Sequence, residues 1–430
     1  MQKEKKCRWK IMIVGGGASG MMAAIAAARS TGKGNEILLL EKNTLLGKKL
    51  LATGNGRCNF MNKYCTPYDL RGQEEVAAAH EKKEKIPFSF DILSQLDVSR
   101  TEEIFLQMGV LSREEAEGRI YPYSGQGAII KEALEAEIQQ LGICVRASSN
   151  VKNIRKNGDF FKVDIDDSTC FFSEKVILST GGKAGLQYGS TGEGYVLAKE
   201  FGHHIVKPIP ALVPLLCDKK SFGGCKGVRA KGKVRLLCEG AELAVDTGEI
   251  QFTEEGISGI CVFNISRFVR FKSLDELASY EVEIDLFPNF SEAELLDILI
   301  EKQKRESEHS MSLFLKGLIH EKLAAALLNR SQIKKEEAVY RVTESKIKEL
   351  TFLMKHWNLK LAGTKSFKEA QVTCGGISVE EIDPKTLESL LVPGLYFAGE
   401  LIDVDGRCGG FNLQWAWSSG YGAGKAAAKE

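Results

Sequence analysis

The segment Gly15-Gly-Gly-Ala-Ser-Gly20 carries the spacing Gly15-x-Gly17-x-x-Gly20, and a carboxylate, Glu41, stands about one βαβ repeat later in the chain. Residues of these types at this spacing are suited to gripping a dinucleotide. Gly15 permits a tight turn, Gly17 lets the backbone approach a pyrophosphate, and Gly20 lets a helix lie close to a strand. The N-terminus of the helix that follows would turn its unpaired N–H groups toward the phosphates. Glu41 would accept hydrogen bonds from a ribose diol, which favours FAD or NAD over NADP. A glycine triplet alone recurs by chance, so the elements around it decide its meaning.

Those elements read as a βαβ unit. Lys10–Val14 is a short apolar run of strand composition, Met21–Arg29 is an alanine-rich helix, and Glu36–Glu41 is a second buried strand. Parallel strands imply helices on both faces of the sheet. Farther on, Gly72–Lys85 is charged and reads as a solvated helical face, and Gly127–Leu141 as an amphipathic helix. Cys144–Ile165 reads as strands joined at Asn157-Gly158, and Lys175–Gly182 as a strand running into paired glycines. Pro208, Pro210 and Pro214 stiffen the chain where a new unit begins. Lys226–Val269 alternates like a small β-barrel or sandwich, and Ser291–Lys355 reads as helical throughout. The expected fold class is α/β, a discontinuous FAD-binding Rossmann-like domain of glutathione-reductase type interrupted by a β-barrel and a helical cap. Its expected boundaries are 1–205 and 367–430 for the dinucleotide fold, 206–290 for the barrel-like insert and 291–366 for the cap. The insert is expected to cover the cofactor and to supply much of a substrate pocket.

FAD is favoured over NAD by what the end of the chain does. An FAD enzyme of this type returns to its cofactor with a strand ending in Gly-Asp or Gly-Glu, and Tyr396-Phe-Ala-Gly399-Glu400 has that form, with Asp403 and Asp405 close behind. The strand ending Ser179-Thr180-Gly181-Gly182 resembles the Ala-Thr-Gly-Gly strand of the same enzymes. Three separate elements agree.

Bulk properties exclude several classes. With 58 basic and 57 acidic residues the formal net charge is +1, and no basic patch stands out, so neither nucleic acid nor an anionic membrane is expected as a partner. The basic start, Lys3–Lys10, precedes an apolar run too short for a secretory signal, no stretch has the length of a membrane span, and a cytoplasmic address is expected. The 11 cysteines are scattered, with no Cys-x-x-Cys, so buried thiols in a reducing compartment are expected rather than disulfides or a metal centre. The six histidines show no His-Glu-x-x-His spacing.

Leu46-Gly-Lys-Lys-Leu-Leu-Ala-Thr-Gly-Asn-Gly-Arg-Cys-Asn59 follows the second strand, and Gly406-Arg-Cys-Gly-Gly-Phe-Asn-Leu-Gln-Trp-Ala416 follows the closing one. With Ser190-Thr-Gly-Glu-Gly-Tyr195, these motifs resemble the aminoacetone-oxidase-like and 3-dehydro-bile acid Δ4,6-reductase-like family of FAD flavoproteins. The resemblance covers the whole chain. It implies FAD, the three-part fold above and a redox reaction. The Ser190–Tyr195 segment is also similar to the fumarate reductase and ketosteroid dehydrogenase group, which moves hydride to or from carbon–carbon bonds beside a carbonyl.

The expected cofactor-binding residues are Gly15, Gly17, Ala18, Ser19, Gly20, Glu41, Lys42, Gly47, Lys48, Gly54, Gly56, Arg57, Cys58, Asn59, Val151, Thr180, Gly181, Gly182, Gly399, Glu400, Asp405, Gly410, Phe411, Asn412 and Leu413. Gly409–Asn412 would begin the last helix, running to Ser419, with N–H groups that stabilise a reduced, anionic flavin. Arg57 is the expected catalytic residue, presented by the turn Gly54–Gly56 to a substrate carbonyl or carboxylate; a structural salt bridge is the alternative. Cys58 and Cys408 follow arginines in parallel positions, but the Cys-x4-Cys spacing of dithiol flavoenzymes is absent. Tyr188, Glu193, Tyr195 and His203 are candidate proton donors, none singled out. The expected activity is reduction of an activated C=C, as in a sterol-like or bile-acid-like enone, with NAD(P)H as a transient electron donor because only one fingerprint exists. An oxidase of a small amine or alcohol is the rival, and a non-catalytic flavin-containing binding protein the third reading.

Overall fold

The computed structural model describes residues 8–73, 86–271 and 273–429. Residues 74–85, most of the stretch read as a charged helix, lie outside them, as do residues 1–7 of the basic start. The described chain forms two compact units, Met1–Ile209 with Gln371–Glu430, and Pro210–Ala370.

The first unit is built on a parallel sheet. Strand β1 (Arg8–Val14) pairs in parallel with β2 (Ile37–Leu40) on one side and with Cys170–Leu178 on the other. Cys144–Arg146 extends the sheet beyond β2, and Leu395–Phe397 pairs with the C-terminal part of Cys170–Leu178. The N-terminal part of that long strand instead pairs antiparallel with Phe160–Ile165, which in turn pairs with Val151–Asn157. One strand therefore serves both the dinucleotide sheet and an antiparallel meander. Residues Ile11–Val14 and β2 are buried on both faces, so their unbroken apolar composition, without alternation, is what a covered parallel sheet requires.

Helix α1 (Ala18–Thr31) and the closing helix (Phe411–Ala427) pack together on this sheet. A methyl group added at Gly420 would lie 2.3 Å from the carbonyl oxygen of Ser19, and one at Gly424 would lie 2.2 Å from that of Ala23. Glycine at these two positions, one turn apart, lets the backbones approach. The closing helix runs to Ala427, two turns past the expected end at Ser419. Its all-round burial removes the polar face by which an end is read from sequence.

The second unit is a closed six-stranded barrel of Leu215–Cys217, Gly256–Ser258, Ala241–Phe252, Arg229–Cys238, Tyr280–Asp285 and Trp357–Thr364. Two expectations are corrected here. The alternating stretch Lys226–Val269 contains a helix, Ile260–Ser266. The segment 291–366, read as a helical cap, ends in the strand that closes the barrel. Barrel residues such as Phe252, Ile284 and Trp357 share one core with Leu299, Leu327 and Leu350 of the helices, so residue 290 divides no core. A buried ion pair, Lys355 Nζ to Asp285 Oδ2 at 2.7 Å, ties the last of these helices to the barrel.

Candidate functional site

At the start of α1 four glycines do different work. Gly15 has φ +108°, and a methyl group there would lie 2.5 Å from the carbonyl oxygen of Ser179, so only glycine fits. A methyl group at Gly20 would lie 1.8 Å from the carbonyl oxygen of Gly15. The N–H of Gly16 donates to Glu41 Oε2 at 2.7 Å. Gly17 differs: a Cβ there would meet nothing within 4 Å. Gly17 is also the N-cap, with no side-chain cap and no acidic residue in the first turn, where Ala18 and buried Ser19 begin the helix. The orphan N–H groups of this turn thus face a cradle that no protein side chain fills.

Glu41 is buried and its carboxylate is held from two sides, Oε2 by Gly16 and Oε1 by the backbone and side-chain nitrogens of Asn43, each at 2.7 Å. The N–H of Ser149 donates to the Glu41 carbonyl, which brings the segment leading to buried Val151 alongside. Lys42 Nζ reaches Thr191 Oγ1 and Glu193 Oε2, both at 2.7 Å.

The motif Leu46–Asn59 folds as a chain of tight turns. The N–H of Gly47 donates to the Gly16 carbonyl, Lys48 is exposed, and Gly54, Asn55, Gly56 and Cys58 all have positive φ. Lys49 Nζ bonds Glu400 Oε2 at 2.8 Å; Glu400 Oε1 accepts from the Thr373 N–H at 2.9 Å; and Thr373 Oγ1 accepts from the N–H groups of Lys183 and Ala184. This relay joins the turns, the Thr180-Gly181-Gly182 end of the long strand and the returning Gly399-Glu400. Asn59 Oδ1 and Thr180 Oγ1 are buried with no hydrogen-bond partner among the described residues. Such atoms call for a polar ligand.

The closing helix begins like α1. Its N-cap, Gly410, has φ +100° and no side-chain cap, and the first turn holds no acid. The N–H of Gly399 donates to Ser419 Oγ at 2.9 Å, so the returning strand is bonded to this helix. Asn412 spends its side chain on the loop before it, Oδ1 accepting from the Gly406 N–H and Nδ2 donating to the Gly406 carbonyl, both at 2.9 Å. Asp405 and Phe411 are buried, and Leu413 half-buried.

Arg57 is half-exposed, its Nη2 paired with Glu115 Oε1 at 2.5 Å and its guanidinium 4.2 Å from the ring centre of Tyr121. The bond to Glu115 raises the Arg57 pKa and lowers that of Glu115, so both stay charged. Burial pushes the Cys58 thiol up to about 11 and also raises that of Cys408, which disfavours the thiolates a redox pair needs. The ten described cysteines are all unpaired by disulfides. Among the candidate proton donors, His203 is enclosed by Glu381 and Ser389 at 2.9 and 2.8 Å, and burial lowers its pKa. Glu193 is engaged by Lys42. The Tyr188 carbonyl accepts from Asn43 Nδ2 at 3.4 Å. Tyr195 is buried, with its hydroxyl unpartnered among the described residues and its pKa raised by burial first and by Glu400 and Asp403 next, so it keeps its proton.

Sequence reading missed Asn43, Lys49, Glu115, Tyr121 and Thr373. Lys49 lay inside a quoted motif and Asn43 stands two residues past Glu41, whose carboxylate it holds; Glu115, Tyr121 and Thr373 carry no local signal, because the site residues they meet are distant in sequence. Among the described residues no helix is long and apolar enough to cross a membrane.

The chain matches the family described as HI0933-like protein Rossmann domain over residues 9–426. It is 38% identical over 420 residues to the 3-dehydro-bile acid delta(4,6)-reductase of Clostridium scindens, covering 98% of this chain and 99% of the relative. It is 28% identical to the ribosomal RNA dihydrouridine synthase of Haemophilus influenzae, covering 95% of this chain and 96% of the relative. Among solved structures, the 3-ketosteroid-Δ4-(5α)-dehydrogenase of Rhodococcus jostii superposes with a TM-score of 0.50 at 15% identity, covering 98% of this chain and 97% of the other, and so shares its fold.

Proposed function

The chain belongs to the HI0933-like protein family, and from that premise we propose that it is an FAD-dependent oxidoreductase that reduces a carbon–carbon double bond conjugated with a carbonyl. The observation that carries the cofactor is the uncapped start of α1, where Gly17 leaves the first-turn N–H groups uncovered. The residues present fit FAD: those N–H groups and Ser19 would hold the pyrophosphate, Glu41 would take the ribose, and Thr180, Asn59 and the Gly410 helix start would meet the remaining polar atoms. When bound, FAD supplies the hydride.

The relatives' names support the bond. A 3-oxo steroid with double bonds at C4 and C6 is a conjugated enone. Dihydrouridine is uridine reduced at C5=C6, a bond conjugated with the C4 carbonyl. Each is reduced by conjugate addition: hydride adds to the β-carbon of the enone or of the uracil ring, or to the δ-carbon across the C6 double bond of the dienone, and a proton adds to the other carbon of the bond. Arg57 is suited to draw electron density onto the carbonyl oxygen, since it stays charged and its planar fork keeps donors beyond the one given to Glu115. A bile-acid-like enone is the first reading of the substrate, because that relative is the more similar. A uracil ring in RNA is the second, favoured by the other relative and by the surface described below. NAD(P)H, bound transiently, is the proposed electron source.

The test is to reduce the holoprotein photochemically without oxygen and mix it separately with a 3-oxo-Δ4 steroid and with air-saturated buffer. Faster reoxidation by the enone is expected, slowed at least about tenfold by Arg57→Ala, which removes one charged hydrogen bond. Rapid reoxidation by air, none by any enone, and peroxide released with a primary amine would establish the oxidase instead. An unchanged rate in Arg57→Ala would assign that residue to its salt bridge alone.

A further inference from the structure

Beside the Arg57 turn, a small antiparallel sheet joins Met61–Asn62, Arg119–Pro122 and Ser112–Glu114. Along Arg119–Pro122 burial alternates: Ile120 and Pro122 face the core, while Arg119 and Tyr121 face outward, and Tyr123 continues that face. Arg113 stands opposite Tyr121 in register, with its guanidinium 5.9 Å from the Tyr123 ring centre. Arg57 covers Tyr121, and Arg71 lies 5.3 Å from the ring centre of Tyr68. Tyr123 is 61% exposed, Tyr64 58% and Tyr68 55%. Segments 57–71 and 112–123, with Arg407, carry six cationic and four acidic side chains.

Three tyrosines held more than half in water on one small region bring little burial energy to the fold. Flat aromatic rings and guanidinium planes on an exposed sheet suit stacking by the faces of unpaired nucleobases. We propose that this face docks single-stranded RNA, with the exposed rings of Tyr64 and Tyr123 stacking bases and with Arg113 and Arg119 contacting phosphates through the guanidinium N–H groups they keep beyond their pairs with Glu115 and Glu117. The inference rests on the second substrate reading above and extends it, because a uracil must leave its stack to be reduced. The near-balance of charge over the whole chain does not bear on one face. The four acids offset most of the local positive charge, so stacking rather than ion release dominates, and duplex RNA, with its bases covered, binds less well.

The probe is a fluorescein-labelled oligouridylate of about 12 nucleotides, titrated with the full-length holoprotein and followed by anisotropy. Binding is expected to exceed that of a duplex RNA of equal length, and the slope of log K against log salt is expected to be shallow, about −1.4 for two uncompensated charges. Tyr123→Ala should weaken binding about tenfold, and Tyr123→Phe should retain it, as stacking without the hydroxyl demands. Equal affinity for single strand and duplex, or an unchanged affinity in Tyr123→Ala, would overturn the proposal. Reoxidation of the photoreduced holoprotein by free uridine, which needs no docking face, separates this surface from the uracil reading it rests on. If uridine reoxidises the flavin while the oligonucleotide does not bind, only the docking face fails; if neither occurs, the uracil reading fails with it.

Discussion

Replacing Gly17 by leucine should yield a folded, colourless protein. Gly17 has φ −79°, which any L-residue adopts, and a Cβ there would meet no atom within 4 Å, so the polypeptide itself tolerates the side chain. The leucine would occupy the cradle before the first turn of α1 and hold a pyrophosphate away from the N–H groups. Losing two charge-assisted hydrogen bonds at about 1.5–3 kcal/mol each removes about 3–6 kcal/mol, or about two to four powers of ten in FAD affinity. Stability without cofactor should change by no more than about 0.5 kcal/mol. Gly20→Ala is the contrast, since its methyl group would lie 1.8 Å from the Gly15 carbonyl oxygen, an overlap costing about 1–3 kcal/mol of stability or more. The assay pairs the flavin-to-protein absorbance ratio with circular dichroism on thermal unfolding, and identifies the released flavin as FAD or FMN. Full FAD occupancy in a folded Gly17→Leu protein would refute the reasoning.

Other outcomes follow from single contacts. Cys58 should resist alkylation at pH 8 in the folded protein, because burial holds its thiol near pH 11; rapid labelling without unfolding would contradict that environment. His203 has a folded pKa depressed below its ordinary 6.5, so the unfolded chain binds the proton more readily, and its contribution to stability, present above that pH, is lost as pH falls through it. Urea unfolding between pH 7.5 and 5.5 should show this decline, and His203→Asn should flatten it. Lys355→Met should destabilise the barrel unit by about 3–5 kcal/mol by stranding Asp285, and adding Asp285→Asn should recover part of the loss; additive losses in a double-mutant cycle would show the pair to be uncoupled.

By itself the amino-acid order determined the dinucleotide-binding unit. The strand, glycine turn and helix from Lys10 to Arg29 are local features; the structure extends the strand back to Arg8 and the helix from its expected start at Met21 back to Ala18 and on to Thr31. The family resemblance was legible for the same reason, since Leu46–Asn59 and Gly406–Ala416 are contiguous motifs, and the family match over residues 9–426 bears it out. What tertiary structure decided is how these pieces are held. Thr373 accepts from Lys183 and Ala184, residues distant in sequence, and Lys49 meets Glu400 across most of the chain, so no window of sequence contains either contact. The barrel strand Trp357–Thr364 was hidden because its alternation follows directly on a helix, and only its pairing with Leu215–Cys217 and Tyr280–Asp285 makes it a strand. Periodicity reports which face of an element is covered. The partner that covers it is chosen by packing and hydrogen-bond geometry, which act between residues that the sequence keeps apart.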